Sequence, residues 1–354
     1  MNKANMALGL IVAALLTVGS ILRPASAQSS GSTVIDTDFN FESVALAQIT
    51  AFGQAATTVL SIANQNPMNI LATFGRSCPV FVGPGTLLGE TSCAWTKVTG
   101  EAATQGSTTS QAVDWRGAGQ FEFGPGWFVG GGVGTTATSA QMSSGPSSVG
   151  RSFSAGTVLK RVDGPWFFSG SFVLSTRTDW NNWPVQLPGG GTAAMTGAVY
   201  TFGLGAMVRG AYQIPLDSVY LRPSLETGLQ LTSRSALREQ GQGRAVTVDP
   251  ISKALLVITP MLEIGARHDI GALVLRPYLA GGATFLPDNS TNISGTVGAT
   301  RFSGTAYGQS VLANVEAGLQ LYQAKSWETK LEYRLSAADQ YLDQLISLRG
   351  ARYF

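Results

Sequence analysis

Charge is scarce in this chain. Asp, Glu, Lys and Arg together make up 12% of its 354 residues, against about 25% in ordinary soluble domains. Basic and acidic residues nearly cancel, at 23 and 21. That excludes the concentrated positive surface a nucleic-acid binder needs. There is one histidine, His268, and two cysteines, Cys78 and Cys93. So few soft ligands leave nothing for a metal centre, and neither metal nor cofactor is expected. Beyond the first 27 residues no run of 18 apolar residues occurs, which excludes a helical membrane span. What the chain does have is 43 glycines and 44% hydrophobic residues.

The N-terminus reads as an export signal. Lys3 supplies a positive charge, Ala7–Gly19 is a short apolar stretch, and Ala25-Ser26-Ala27 is a small-residue cleavage site. Residues 1–27 are therefore expected to be removed. Without Lys3 and Arg23 the basic residues fall to 21, matching the acidic ones.

The rest alternates with a period of two, the signature of strands with two unlike faces. Trp327, Thr329, Leu331, Tyr333 and Leu335 alternate with Glu328, Lys330, Glu332, Arg334 and Ser336. Val219, Leu221, Pro223, Leu225, Leu229 and Leu231 alternate with Tyr220, Arg222, Ser224, Glu226, Gly228 and Gln230. The segments 200–209, 256–265 and 311–321 repeat the pattern. Turn residues at Gly124-Pro125-Gly126, Asp163-Gly164-Pro165, Pro215-Leu216-Asp217, Asp269-Ile270-Gly271 and Ala324-Lys325-Ser326 separate strand pairs. The intervening connections read as longer polar loops at about 102–110, 141–150, 180–194, 237–249 and 286–304, with a short one near Ala338.

This division gives twelve strands: 91–101, 110–123, 126–140, 151–163, 165–179, 195–214, 217–235, 250–268, 272–286, 305–323, 326–338 and 341–354. All reach the nine to eleven residues or so that a tilted strand needs to cross a bilayer. Exported, poor in charge, alternating, and built from short turns and long loops, the chain is expected to be an all-β, twelve-stranded antiparallel transmembrane barrel over residues 91–354. The apolar set then meets lipid. The lumen-facing set is expected to include Asp114, Arg116, Glu122, Arg209, Arg222, Glu226, Glu263, Arg267, Arg276, Glu316, Glu328, Lys330, Glu332 and Arg334. Mixed signs point to ion pairs across the lumen more than to a selective conduction path. Trp127, Trp166 and Trp327 follow short turns, as an interfacial aromatic girdle would. The related stretches LRPSLETG at 221–228 and LRPYLAGG at 275–282 each place a proline outward on a strand, where it should mark a bulge or a faulty register.

Ahead of the barrel lie a tail and connector over residues 28–90. Within them residues 42–63 read as a slender helix with Glu42 in its first turn. The final strand ends in Tyr353-Phe354. A thin helix, a strand beginning CAWTKVTGE, and a last hairpin ending LEYRLSAADQYLDQLISLRGARYF together resemble the autotransporter β-domain. The resemblance covers about residues 40–354. It implies a twelve-stranded barrel in the bacterial outer membrane that carries its helix in the pore and anchors a passenger. It also implies that insertion machinery reads the aromatic end, here Tyr353 and Phe354. The usual tyrosine third from the end is replaced by Arg352. Only about residues 28–40 precede the helix, too few for stacked passenger repeats, so the passenger is expected to be vestigial.

The two cysteines pass through an oxidising compartment and are expected to form a disulfide that ties the connector to the first strand. His268 stands beside a short turn, at the wrong end for the Ser-His site of outer-membrane phospholipases, so no catalytic residue is expected. No Asn-Asn pair occurs among Asn64, Asn66 and Asn69 to support self-cleavage. The expected function is an autotransporter-type translocator or anchor barrel, a monomer among outer-membrane lipids. The alternatives are a small porin plugged by its helix, or a surface structural or adhesive barrel acting through its loops.

Overall fold

A computed structural model describes residues 78–354 apart from 144, 187–191, 242–245, 298 and 325, together with Leu71 and Gly75. The signal, the tail and the helix expected at 42–63 lie outside the described residues. The dominant element is one closed antiparallel sheet of twelve strands. They are β1 (Cys93–Gln105), β2 (Thr108–Gly124), β3 (Trp127–Met142), β4 (Ser147–Asp163), β5 (Trp166–Gln186) and β6 (Thr192–Tyr212). They continue with β7 (Val219–Arg234), β8 (Ile251–Ala266), β9 (Leu273–Phe285), β10 (Val311–Gln323), β11 (Trp327–Ala338) and β12 (Tyr341–Tyr353). Each pairs with the next. β12 closes the ring on β1 through an unbroken ladder from Tyr341↔Gln105 to Tyr353↔Cys93. Closure removes both free edges, which a single sheet in lipid requires.

The alternation in the sequence becomes an inside and an outside. Leu225, Leu229, Leu231, Leu319, Leu331, Ile346 and Leu348 are exposed on the outer surface. Arg222, Glu226, Gln230, Gln320, Lys330, Ser347 and Arg349, their neighbours in sequence, are buried inside. At the end that carries the short turns, aromatics gather on the outside. Trp166 stacks on Phe168 with centroids 5.8 Å apart and leans on Tyr212 at 4.7 Å. Trp127 sits 6.4 Å from Phe123. Trp127 and Trp166 are exposed there, and Trp327 is half-buried.

The prolines do not shift the register. Pro260 leaves the β8–β9 ladder without pairs at Thr259 and Pro260, yet Ile258↔Phe285 and Met261↔Gly282 keep one alignment. The Thr259 and Thr284 hydroxyls bridge the gap at 3.0 Å. Pro277 interrupts the β8–β9 pairing in the same way between Gly265↔Tyr278 and His268↔Leu275. Pro223 does so beside β6, where the Ile214–Leu216 segment takes over the pairing. A proline removes one N–H on one side only, so the ladder on its other side continues.

The loop end differs from expectation in two ways. The stretches 102–110 and 141–150 are mostly strand, the first turning at 106–107, and strand also covers 180–186 and 192–194 of the loop expected at 180–194. The Thr- and Ser-rich sequence of the first two is polar because these strands continue beyond the apolar band, not because they stop. The strand expected at 305–323 begins at Val311; residues 300–307 instead pair with Ser290–Val297. That hairpin joins Val246–Val248 and Leu237–Arg238 in a separate four-stranded sheet. Its Leu237, Val246, Val248, Ile293, Phe302 and Ala306 are buried.

Candidate functional site

The lumen is where this fold concentrates its polar chemistry. Inward positions on neighbouring strands bring opposite charges together. Glu263 accepts from Arg276 Nη2 at 2.6 Å and from the Tyr220 hydroxyl at 2.5 Å. Arg276 also donates to Tyr220 Oη at 2.7 Å and to Gln320 Oε1 at 2.8 Å, so each end of its guanidinium is held. Glu332 faces Lys330 at 2.5 Å and Lys97 at 3.5 Å. The Tyr278 hydroxyl donates toward Glu316 and Glu332 at 2.9 and 3.1 Å. Arg116 pairs with Asp114 at 2.9 Å, and Arg209 with Glu226 at 3.5 Å. Arg209 and Arg222 both lie over the Phe167 ring, at 5.7 and 5.3 Å. Glu328 accepts from Arg349, Gln320 and the Tyr353 hydroxyl.

A second layer is not part of the wall. Between the disulfide and β1, Pro79–Phe81 and Leu88–Glu90 form a small antiparallel hairpin around Gly83-Pro84-Gly85. Apolar residues flank a Gly-Pro-Gly turn, a standard hairpin signal. This connector hairpin is bonded to the wall around the turn end of the barrel. Gln320 Nε2 of β10 donates to the Pro79 carbonyl at 2.8 Å, and the Phe81 amide donates to Tyr322 Oη at 2.9 Å. The Leu88 amide donates to Gln213 Oε1 at 3.1 Å, and Gln213 Nε2 returns a bond to the Thr86 carbonyl. Thr86 donates to the Val219 carbonyl at 3.1 Å. Arg267 donates to the Gly85 carbonyl at 2.8 Å and lies 5.4 Å over the Phe81 ring.

Glu90 anchors the opposite side. Its Oε2 accepts from Lys160 Nζ at 3.1 Å, Gln120 Nε2 at 2.8 Å and the Cys78 amide at 3.1 Å. Burial pushes the Glu90 carboxyl up, but Lys160, Gln120 and the Cys78 amide outweigh it and hold it below the usual carboxylate range. Cys78 and Cys93 are joined, with Cα atoms 6.5 Å apart, within the span a disulfide bridges. The bridge packs with Trp95, Val158, Tyr322 and Tyr353. Leu71 and Gly75 are helical. Leu71 is wholly buried on an apolar patch of the inner wall formed by Val173, Met207, Val257 and Leu286. Helical backbone therefore lies inside the barrel at residues 71 and 75, past the end expected for the helix.

The residues expected in the lumen do not all occupy one environment. Asp114, Arg116, Arg209, Arg222, Glu226, Arg276, Glu316, Glu328 and Lys330 are buried inside. Glu263, Glu332 and Arg334 are less enclosed on the same face, and Arg267 serves the hairpin at the rim. Glu122 has the inward parity but lies beyond the lumen. It is exposed and accepts from the Gly126 amide at 2.8 Å to close the turn. Tyr353 points inward and is 2% exposed, whereas Phe354 is 71% exposed. Sequence reasoning missed Glu90, Lys97, Lys160, Arg177, Asp179, Arg234 and Arg349. Lys97, Lys160 and Arg349 had a signal: each sits at even spacing from small or polar residues on strands whose other face is apolar. Glu90 had none, because only the fold brings the connector under the wall. His268 is exposed at the turn end. Among the described residues no three His, Cys, Asp or Glu gather as metal ligands.

A closed ring of twelve strands, with charge inside and helical backbone in its lumen, is the arrangement of a translocator barrel. The family described as autotransporter beta-domain matches residues 94–334. The chain belongs to this family. Three solved structures share the fold. The translocator domain of the autotransporter NalP from Neisseria meningitidis aligns at TM-score 0.66 and 11% identity, over 84% of this chain and 98% of that one. The β domain of the Bordetella autotransporter BrkA aligns at 0.56 and 16%, over 75% and 100%. The transport unit of AIDA-I from Escherichia coli aligns at 0.54 and 10%, over 81% and 96%. A comparison with curated proteins finds no match. The protein is an autotransporter-type barrel of the bacterial outer membrane. Its turn end, where β1 starts and β12 ends, is the periplasmic mouth.

Proposed function

We propose that this autotransporter barrel works as a closed membrane anchor, held in the sealed state that follows translocation. The observation that carries this reading is the connector hairpin, bonded to β2, β4, β7, β10 and the rim residues Gln213 and Arg267. A translocating pore needs that mouth clear, and a porin needs it clear permanently. The barrel has no catalytic part in this reading, and His268 has no role in it. Insertion uses Phe354 as the outward aromatic end that the barrel-insertion machinery reads, and the barrel stands alone in lipid. Planar-bilayer recording of the full chain tests the seal. Long closed periods with rare openings are expected. A large, steady conductance would mean a porin. A second reading rests on the outer four-stranded sheet, whose Arg301 and Tyr307 are exposed. Deleting residues 290–307 would then abolish surface attachment while leaving conductance unchanged.

A further inference from the structure

Most lumenal charges in this barrel are partnered, which makes one departure informative. Arg234, near the loop end of β7, is 2% exposed, and its Nε, Nη1 and Nη2 have no hydrogen-bond acceptor among the described residues. A guanidinium stays charged under all ordinary conditions, so burial cannot neutralise it as it can a lysine. Its row on the inner wall is set by the ladders: Thr201 of β6 is the Cα partner of both Arg234 and Arg177. The two arginines therefore flank one threonine, two strand spacings apart, about 10 Å. The Thr201 hydroxyl is itself buried without a partner, and so is Arg177 Nη1.

Arg177 is held in place from its other side. Its Nε donates to both Asp179 oxygens at 2.7 Å, and its Nη2 donates to Thr138 Oγ1 at 2.7 Å. Gly150 makes room for this pair, since a Cβ there would lie 2.3 Å from Asp179 Oδ1 and 2.6 Å from Arg177 Nη2. Asp179 is thus already committed, although its charge also acts on Arg234. On the neighbouring strand Lys253 adds a further cation, engaged by Asn289 Oδ1 at 2.6 Å. Glu239, five residues further along the chain, is also buried and is itself engaged. The arc carries Arg177, Arg234 and Lys253; the acids near it are Asp179, which Arg177 holds, Asp288, whose charge acts on Lys253, and the buried Glu239.

We propose that the row Arg177–Thr201–Arg234 is a lumenal binding site for a tetrahedral oxyanion of the phosphate class. The unused donors come from three adjacent strands, at one level of the ladder. They are more numerous than the two oxygens of a carboxylate can satisfy, and they suit the oxygens of a phosphate or phosphomonoester. Chloride, with one centre, cannot use the fork geometry. The ligand is a soluble phosphate, because the inner wall is shut off from lipid headgroups by the sheet itself.

The test is titration calorimetry on the full chain in detergent, with inorganic phosphate against a chloride background. Saturable one-site binding is expected. Arg234→Gln should weaken it on the order of tenfold or more, the scale of lost charge-assisted hydrogen bonds. Thr201→Val, a near-isosteric change on a strand, should weaken it severalfold while the heat-modifiable gel band persists. Should Arg234→Gln fail to fold, the threonine variant decides. No saturable phosphate binding by the native chain, or binding undiminished in Thr201→Val and Arg234→Gln, would overturn the proposal. A conducting barrel in bilayer recording would refute the periplasmic seal and leave this result untouched.

Discussion

Single residues decide how the lumen is filled. Gly318 of β10 lies under the Tyr278 ring, and a Cβ there would come within 2.2 Å of it. That ring also sits 4.8 Å from the Arg276 guanidinium and 4.9 Å from Lys330. Gly318→Ala should displace the tyrosine and cost about 1–3 kcal/mol by overpacking, read as a lower temperature at which the folded gel band disappears. Glu90 is the more consequential position. Removing its charge leaves Lys160, whose side chain is fully buried, without its counter-ion. Breaking such a pair costs about 3–5 kcal/mol, so Glu90→Gln should free the hairpin to protease attack while the barrel resists. The same carboxyl predicts a pH dependence. Its folded pKa is depressed, so its stabilisation is present above the unfolded value of about 4.3 and is lost as pH falls through the lower folded value. Hairpin protection against protease should therefore fail on the acid side only. Arg276 and Lys330 were read from alternation, and Lys160, on a wall strand with the same pattern, was missed. Glu90 was not legible, since nothing in CPVFVGPGTLLGE says that its last residue will meet a lysine 70 positions away.

At the scale of elements, strands were easy to read and their ends were not. Period-two alternation identified all twelve barrel strands, because one face must meet lipid and the other must not. It could not tell a polar strand extension from a polar loop, which is why β1 to β6 run further toward the outside than expected. Prolines 223 and 277 argued against their strands on general grounds, but each costs only one-sided pairing. The disulfide was legible as the sole pairing available to two thiols. What it fastens was not. Closing a loop of 15 residues contributes about 3 kcal/mol in the chain-entropy model, and here the loop is the hairpin itself. Cys78→Ser should leave barrel closure intact, since β12 meets β1 without it. It should also raise the rate at which a thiol reagent or protease reaches residues 79–90. Equal protection in the reduced and oxidised protein would show that the wall bonds hold the hairpin unaided.

For the whole molecule, the question is which layer closes the pore. An expectation drawn from the helix alone places the plug in residues upstream of the disulfide, so that deleting 28–70 should open a channel. The structure divides the obstruction in two. Leu71, in helical backbone, rests on the apolar inner patch, with Gly75 beside Ser169 and Met207. The hairpin of residues 79–90 is bonded at the periplasmic mouth to strands on every side. The mouth bonds described are made by residues 78–90, so deleting 28–70 should leave conductance low. Deleting 28–90, with Cys93→Ser to avoid a lone thiol, removes the hairpin and exposes Lys160, Gln213, Arg267 and Gln320 to water. Conductance should then rise to a large and steady level, and cation-to-anion preference should shift toward anions because Lys160 loses Glu90. The barrel itself should still migrate as a folded band, its closure depending on β1 to β12 alone. If the shorter deletion already gives the full conductance, the upstream residues are the plug and the hairpin is only a brace for the first strand.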